Sequence, residues 1–196
     1  RVRYGLVVLV AAHKGASLGG LADPGNYAVR ISGGLGAADF DLSLVMDADL
    51  RAMKSAVRDF ARKLREAPED SVALFYFAGH GFQAANLNYL APLRADLREE
   101  VDAEFEALSV DWVLAQLQSA HNGTNILVLD ACRNAALSRS FRSAGQGLAM
   151  LTRTPPGSFI SFATAPGSVA ADGATLNSPY SAAIAREIAR PGLTIE

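Results

Sequence analysis

Four apolar runs constrain this chain more than any other feature. Leu6 to Ala12, Val72 to Ala78, Ile126 to Leu129 and Phe159 to Ala163 are short, almost without charge, and rich in Val, Leu, Ile and Phe. Strands covered on one face alternate polar with apolar side chains, whereas strands buried on both faces read as continuous hydrophobic runs. Between the runs lie segments of helical period. The clearest is Leu50, Met53, Val57, Phe60 and Leu64, spaced by three and four and closed by Pro68. Strands alternating with helices predict an α/β fold, a doubly wound, mostly parallel sheet with helices on both faces.

The remaining elements follow in order. Asp23-Pro24 offers an acid and a first-turn proline for a helix over about 25–38, weakened by Gly33, Gly34 and Gly36. Phe40 to Met46 reads as a strand covered on one face. A loop or short hairpin through Asn86 and Asn88 leads to Tyr89-Leu90-Ala91-Pro92. The acid-rich stretch 94–106 reads as a solvated excursion, and Ser109 caps a helix carrying Val110, Val113, Leu114 and Leu117. Residues 133–157 show no period and read as a long loop. The last helix opens at Ser178-Pro179 and ends at Pro191-Gly192.

Size and composition narrow the function. A chain of 196 residues, half of them apolar, supports one domain with a full core. The net charge of −2 gives no general attraction to nucleic acid or to an anionic membrane. One cysteine cannot form an internal disulfide, so the fold is independent of an oxidising compartment. No run approaches the roughly 20 residues of a membrane span. The expectation is a soluble domain, cytoplasmic rather than periplasmic. Because the chain begins at Arg1, it reads as a fragment whose targeting segment is out of view.

That single cysteine, Cys132, stands at the end of the run Asn125-Ile126-Leu127-Val128-Leu129-Asp130-Ala131-Cys132. His80, between Gly79 and Gly81, follows another buried run. In open α/β sheets, reacting groups collect beyond the carboxyl ends of the strands. Neighbouring parallel strands therefore deliver both side chains to one crevice. A neutral imidazole beside a thiol favours thiolate formation and later protonates a leaving amine. The N–H groups of Gly81 and Cys132 are candidate oxyanion donors, and Gly79 and Gly81 suit tight backbone conformations. A lone cysteine is more often a buried small hydrophobe, and it is the pairing with His80 that changes the reading. His13 and His121 have no comparable setting.

Phe75-Tyr76-Phe77-Ala78-Gly79-His80-Gly81 followed by Leu129-Asp130-Ala131-Cys132-Arg133 resembles the caspase–haemoglobinase clan of cysteine peptidases, and within it the bacterial metacaspase or orthocaspase group. His80 and Cys132 lie 52 positions apart, in line with caspase spacing. The likeness extends to Phe162-Ala163-Thr164-Ala165-Pro166-Gly167 and Asn177-Ser178-Pro179-Tyr180. It implies a caspase-like peptidase domain over 1–196. Residues 1–132 correspond to a large subunit, 133–157 to a linker open to self-processing, and 158–196 to a small subunit whose last strand is missing. It also implies a Cys132–His80 dyad acting on a polypeptide substrate without a metal or other cofactor.

The resemblance further suggests cleavage after Arg or Lys. Asp130 would pair with the basic side chain, with Asp172, Ser161 and Tyr27 around the same pocket. Here the sequence departs from the group. Asn26-Tyr27-Ala28 stands where relatives carry Asn-Asp-Ala, so one pocket carboxylate is replaced by a phenol. Calcium activation, known in the group, has no regular oxygen-ligand loop in 94–106. Arg133, Arg139, Arg142 and Arg153 supply basic positions for self-cleavage. The rival reading is a non-proteolytic scaffold that binds a partner through the same pocket. A third is a hydrolase of another acyl substrate on the same dyad.

Overall fold

The computed structural model describes residues 1–11, 24–132, 148, 154–163 and 179–190. In chain order the elements are β1 (Arg3–Leu9), α1 (Pro24–Ala37), β2 (Phe40–Met46), α2 (Leu50–Arg65), β3 (Val72–Ala84), β4 (Leu87–Leu90), α3 (Asp102–Glu106), β5 (Leu108–Ser109), α4 (Val110–Gln118), β6 (Thr124–Cys132), β7 (Ser158–Phe162) and α5 (Pro179–Glu187). Five strands form a parallel sheet in the order β2-β1-β3-β6-β7. β4 and β5 extend it antiparallel from the far end of β3. The expected α/β architecture, mostly parallel with helices on both faces, is the one observed.

The continuous apolar runs have a direct cause: β1, β3 and β6 are covered on both sides. Along β3, Ala73, Phe75 and Phe77 pack with Met53, Val57, Phe60 and Leu64 of α2 and Val113, Leu114 and Leu117 of α4. Their neighbours Leu74, Tyr76 and Ala78 join Ala28, Ile31 and Leu35 of α1, with Tyr180 and Ile184 of α5 against them. This period of two assigns each side chain to a face. β2 lies at the sheet edge, where Leu44 and Met46 stay exposed.

Local chemistry fixes the helix ends. The Asp49 carboxylate accepts the Ala52 N–H at 2.8 Å, and Arg62, Lys63 and Arg65 occupy the last turn of α2, where cations oppose the helix dipole. Lys63 also pairs with Asp41 at 2.6 Å and lies over the Tyr4 ring, tying α2 to the sheet edge. Ser109 accepts the Trp112 N–H at the start of α4, as its sequence position predicts.

Two segments differ from the sequence expectation. β3 does not end before Gly79 but runs on to Ala84, turns through Ala85 and Asn86, and pairs with β4. Both turn residues have positive φ, 47° and 63°, the backbone twist that a two-residue hairpin requires. The stretch 94–106 is not only a solvated excursion. It contains α3, whose Ala103 is buried against Phe82, Tyr89 and Ala107. Its acids hold local backbone: Glu100 accepts the Ala85 N–H at 2.6 Å, and Asp102 accepts those of Arg98 and Glu99. Among the described residues, no three His, Cys, Asp or Glu side chains group as metal ligands, and no helix is long and apolar enough to cross a membrane.

Candidate active site

The register of β3 on β6 sets the geometry. Seven consecutive pairings run from Val72 opposite Thr124 to Ala78 opposite Asp130; the next two put Gly79 opposite Ala131 and His80 opposite Cys132. Parallel neighbours lie about 4.8 Å apart. The two residues singled out in the sequence are thus direct partners across the sheet, at the carboxyl end of β6. His80 is buried, 5 % exposed. Its carbonyl accepts the Ala91 N–H at 2.8 Å, so β4 braces it from the other side.

The glycines flanking His80 serve space rather than conformation. Both lie in extended strand, and neither has a positive φ. A Cβ on Gly81 would stand 2.8 Å from the Ala131 Cβ and 3.2 Å from Leu148 Cδ2. A Cβ on Gly79 would stand 2.8 Å from the Phe77 ring and 3.1 Å from the Val10 carbonyl. The expectation of tight backbone turns is therefore replaced by close approach of β6 and β1. It is this closeness that lets the His80 strand lie flush against its neighbours.

Asp130 sits two residues before Cys132, on the face that β3 gives to Tyr76 and Ala78. It is 3 % exposed, and the Tyr76 hydroxyl donates to its Oδ2 at 3.1 Å. Burying a carboxylate is costly unless hydrogen bonds and charges compensate it. The Tyr76 hydroxyl is one such compensation. Beside this pair, the Tyr180 hydroxyl of α5 donates to the Ser161 Oγ of β7. Burial pushes the Tyr180 phenol up from its ordinary range, the bond to Ser161 works against that, and the nearby charge of Asp130 adds to the rise. Asp130, Ser161 and the two tyrosines thus form one polar group on the α1/α5 face.

Of the predicted site residues, His80, Gly81, Asp130 and Ser161 are described in full, and Cys132 by its backbone. Tyr27 falls in the first turn of α1, with its side chain outside the described residues. Asp172 lies outside them altogether, as does most of the 133–157 segment. Sequence reasoning missed Tyr76 and Tyr180. Tyr76 shares the even-numbered face of β3 with His80, but inside Leu74-Phe75-Tyr76-Phe77 it reads as core and nothing in the sequence marks its hydroxyl.

The arrangement can bring a thiol and an imidazole to one sheet edge and hold a buried carboxylate one strand step below. A thiol and an imidazole are groups of nucleophilic catalysis, and a buried carboxylate is a group able to pair with a cation. No curated protein matches the chain. In fold it is similar to the Drosophila initiator caspase Dronc, with a TM-score of 0.57 at 9 % identity, over 84 % of this chain and 56 % of that one. The chain thus spans a little over half of the Dronc chain. A family model, the caspase domain, matches residues 5–196. With nearly every residue inside that match, and His80 opposite Cys132 on adjacent strands, the chain belongs to the caspase-domain family.

Proposed function

We propose that the chain is a cysteine endopeptidase of the metacaspase or orthocaspase type, cleaving after Arg or Lys. The observation that carries this reading is the register of His80 against Cys132 in a caspase domain. His80 takes the thiol proton, and the Cys132 sulfur attacks the scissile carbonyl carbon. The N–H groups of Gly81 and Cys132 stabilise the oxyanion. As the tetrahedral intermediate collapses, the C–N bond breaks and His80 returns the proton to the leaving amine. Water, activated by the same imidazole, then hydrolyses the thioester and frees Cys132. No metal or other cofactor takes part in these steps.

Asp130 selects the substrate by pairing with a P1 guanidinium or ammonium. A planar guanidinium makes two parallel bonds to a carboxylate, which favours Arg over Lys. Asp172, Ser161 and Tyr27 surround the same pocket, and the arginines of 133–157 are sites for self-processing. The test is a fluorogenic peptide panel varied at P1. Turnover should be highest with Arg, lower with Lys, absent with Asp, and lost in Cys132→Ala. Asp-directed cleavage, or full activity in Cys132→Ala, would overturn the assignment.

A second reading, a scaffold that binds a partner without proteolysis, is favoured by Tyr27 in place of the usual pocket carboxylate. Intact-mass measurement after treatment with a peptidyl-Arg chloromethylketone separates the two: a peptidase gains one adduct at Cys132, and a scaffold gains none.

A further inference from the structure

Away from the dyad, a groove of about 540 Å³ lies between the first half of α2, the Pro92–Ala95 connection, the end of α3 and the start of α4. Arg51, Lys54 and Arg58 project into it from α2, and Arg94 faces them. Spacings of three and four residues put the α2 cations on one helical stripe. None of the four makes an ion pair among the described residues, although the neighbouring Arg62, Lys63 and Arg98 all do. Arg94 has φ of 64°, a left-handed conformation that side chains other than Gly rarely adopt. The opposing acids are Asp49 and Glu106, and Asp49 is occupied in capping α2. The groove also has an apolar side: Trp112 is half-buried in its wall, and Phe105 is 68 % exposed at its edge.

We infer that this groove is a docking site for an acidic polypeptide segment bearing an aromatic or aliphatic side chain. Carboxylates would meet the four cations, and the apolar side chain would lie against Trp112 and Phe105. Charge complementarity selects the acid, because the lining cations exceed the lining acids by two (four minus two). The rest of the surface selects a short segment over a long polyanion. The chain carries a net −2, and the stretch 94–106 that supplies Arg94, Ala95, Phe105 and Glu106 to the groove also holds Asp96, Glu99, Glu100 and Glu104, charges that disfavour a long nucleic acid. The position also matters. α2 starts at the carboxyl edge of the sheet, the Leu93 N–H bonds the Ala48 carbonyl at 2.8 Å, and the Ala91 N–H bonds that of His80 at the same distance. A segment bound at Arg94 therefore lies on the connection that leaves the His80 strand pair, on the opposite face from Asp130. It would tether a polypeptide to the enzyme without entering the peptidase pocket.

Trp112 is the only tryptophan in the chain, so its emission reports on the groove alone. The probe is a short synthetic peptide of Asp, Glu and Phe, which has no Arg or Lys for the proposed P1 pocket. Titrated into the protein at low salt, it should give a saturable change in Trp112 emission that weakens as salt is raised. Arg51→Ala/Lys54→Ala/Arg58→Ala should weaken it roughly tenfold or more, since several close charge pairs are removed together. Arg94→Gly should weaken it less while keeping the positive φ. Neither variant should change turnover of a short fluorogenic Arg peptide, and circular dichroism checks that both fold. The inference fails if the Gln/Asn version of the peptide binds equally well, or if the variants bind as the parent does. It also fails if polyphosphate or a single-stranded oligonucleotide saturates the signal where the peptide gives none. Loss of peptidase activity alone leaves this measurement intact, because it reads binding at Trp112.

Discussion

The two faces of the parallel sheet are built to different standards. On the α2/α4 face, long side chains from both helices pack with Phe75, Phe77, Leu127 and Leu129, and the buried polar residues that alternate with them, Ser71 and Asn125, sit at the starting ends of the strands. On the α1/α5 face the strands contribute Tyr76, His80, Asp130 and Ser161 among the aliphatic residues, and α1 carries glycines. Gly33 and Gly36 have nothing within 4 Å of where a Cβ would be. A cavity of about 740 Å³ opens there between the sheet, the end of α1 and α5, lined by Val128, Phe159, Ser161, Tyr180 and Ile184 among others. One face stores stability, and the other gives part of it up to accommodate polar groups. Close-packed interiors have low compressibility, so rigidity on one side fixes the strands whose other side carries the proposed chemistry.

If that division holds, substitutions should separate activity from stability. The largest effect expected is from His80→Ala, which should cut peptide hydrolysis by about a thousandfold or more, as loss of one member of a catalytic unit does. Its unfolding midpoint should move far less than that of a core truncation. Steady-state kinetics beside urea denaturation would check both, and a comparable loss of stability would break the comparison.

Next in size is Met53→Ala on the α2/α4 face, where the side chain is fully buried. It should cost about 2–5 kcal/mol by chemical denaturation. Ile184→Ala on the other face, half-buried and beside the cavity, should cost about 1 kcal/mol, because the deleted group was only partly removed from water. Equal costs would show that the faces are packed alike.

Tyr76→Phe keeps the ring and removes one bond to Asp130. A hydrogen bond to a charged group contributes about 1.5–3 kcal/mol. Under the proposed role of Asp130, KM for Arg substrates should rise roughly tenfold with kcat less affected. A fall in kcat alone would move Tyr76 from substrate recognition to the chemistry.

The smallest effect belongs to neither face. Asp102 is held below its ordinary pKa of 3.8 by the N–H groups of Glu99 and Arg98. A lowered carboxylate pKa means stability that is complete above about pH 4 and lost as pH falls through the folded value. Asp102→Asn should therefore lower the melting temperature slightly near pH 7 and leave it unchanged well below the folded pKa, where the parent carboxyl is itself neutral. A pH series of melting temperatures for the two proteins measures it.

Much of this was legible in the sequence, for physical reasons that also mark where legibility stopped. Strands buried on both faces announce themselves, so β1, β3 and β6 were readable as apolar runs, and the half-buried edge strand β7 was readable from its aromatic and aliphatic residues. α2 was readable from its spacing. What hid the far half of β3 was Gly79-His80-Gly81, which reads as a turn although its glycines serve close approach. What hid α3 was its charge, since only Ala103 and its neighbours carry the packing. The pairing of His80 with Cys132 was inferable because consecutive parallel strands end at one edge. The link from Tyr76 to Asp130 was not, because a phenol inside an aromatic run gives no sign of which hydroxyls find partners.

The overrun of β3 has a consequence for regulation. A single strand belongs to two ladders, with β6 pairing Val72 to His80 and β4 pairing Gly81 to Ala84, and His80 lies where one ends and the other begins. Displacing its backbone would break the last pairing with β6 and the bond from the Ala91 N–H together. Amide exchange at Ala91, whose hydrogen bonds to the His80 carbonyl, should accordingly be among the slowest in the domain. A switch acting on the proposed peptidase would then work on the cysteine or on the substrate, with the histidine as the fixed point against which they are aligned.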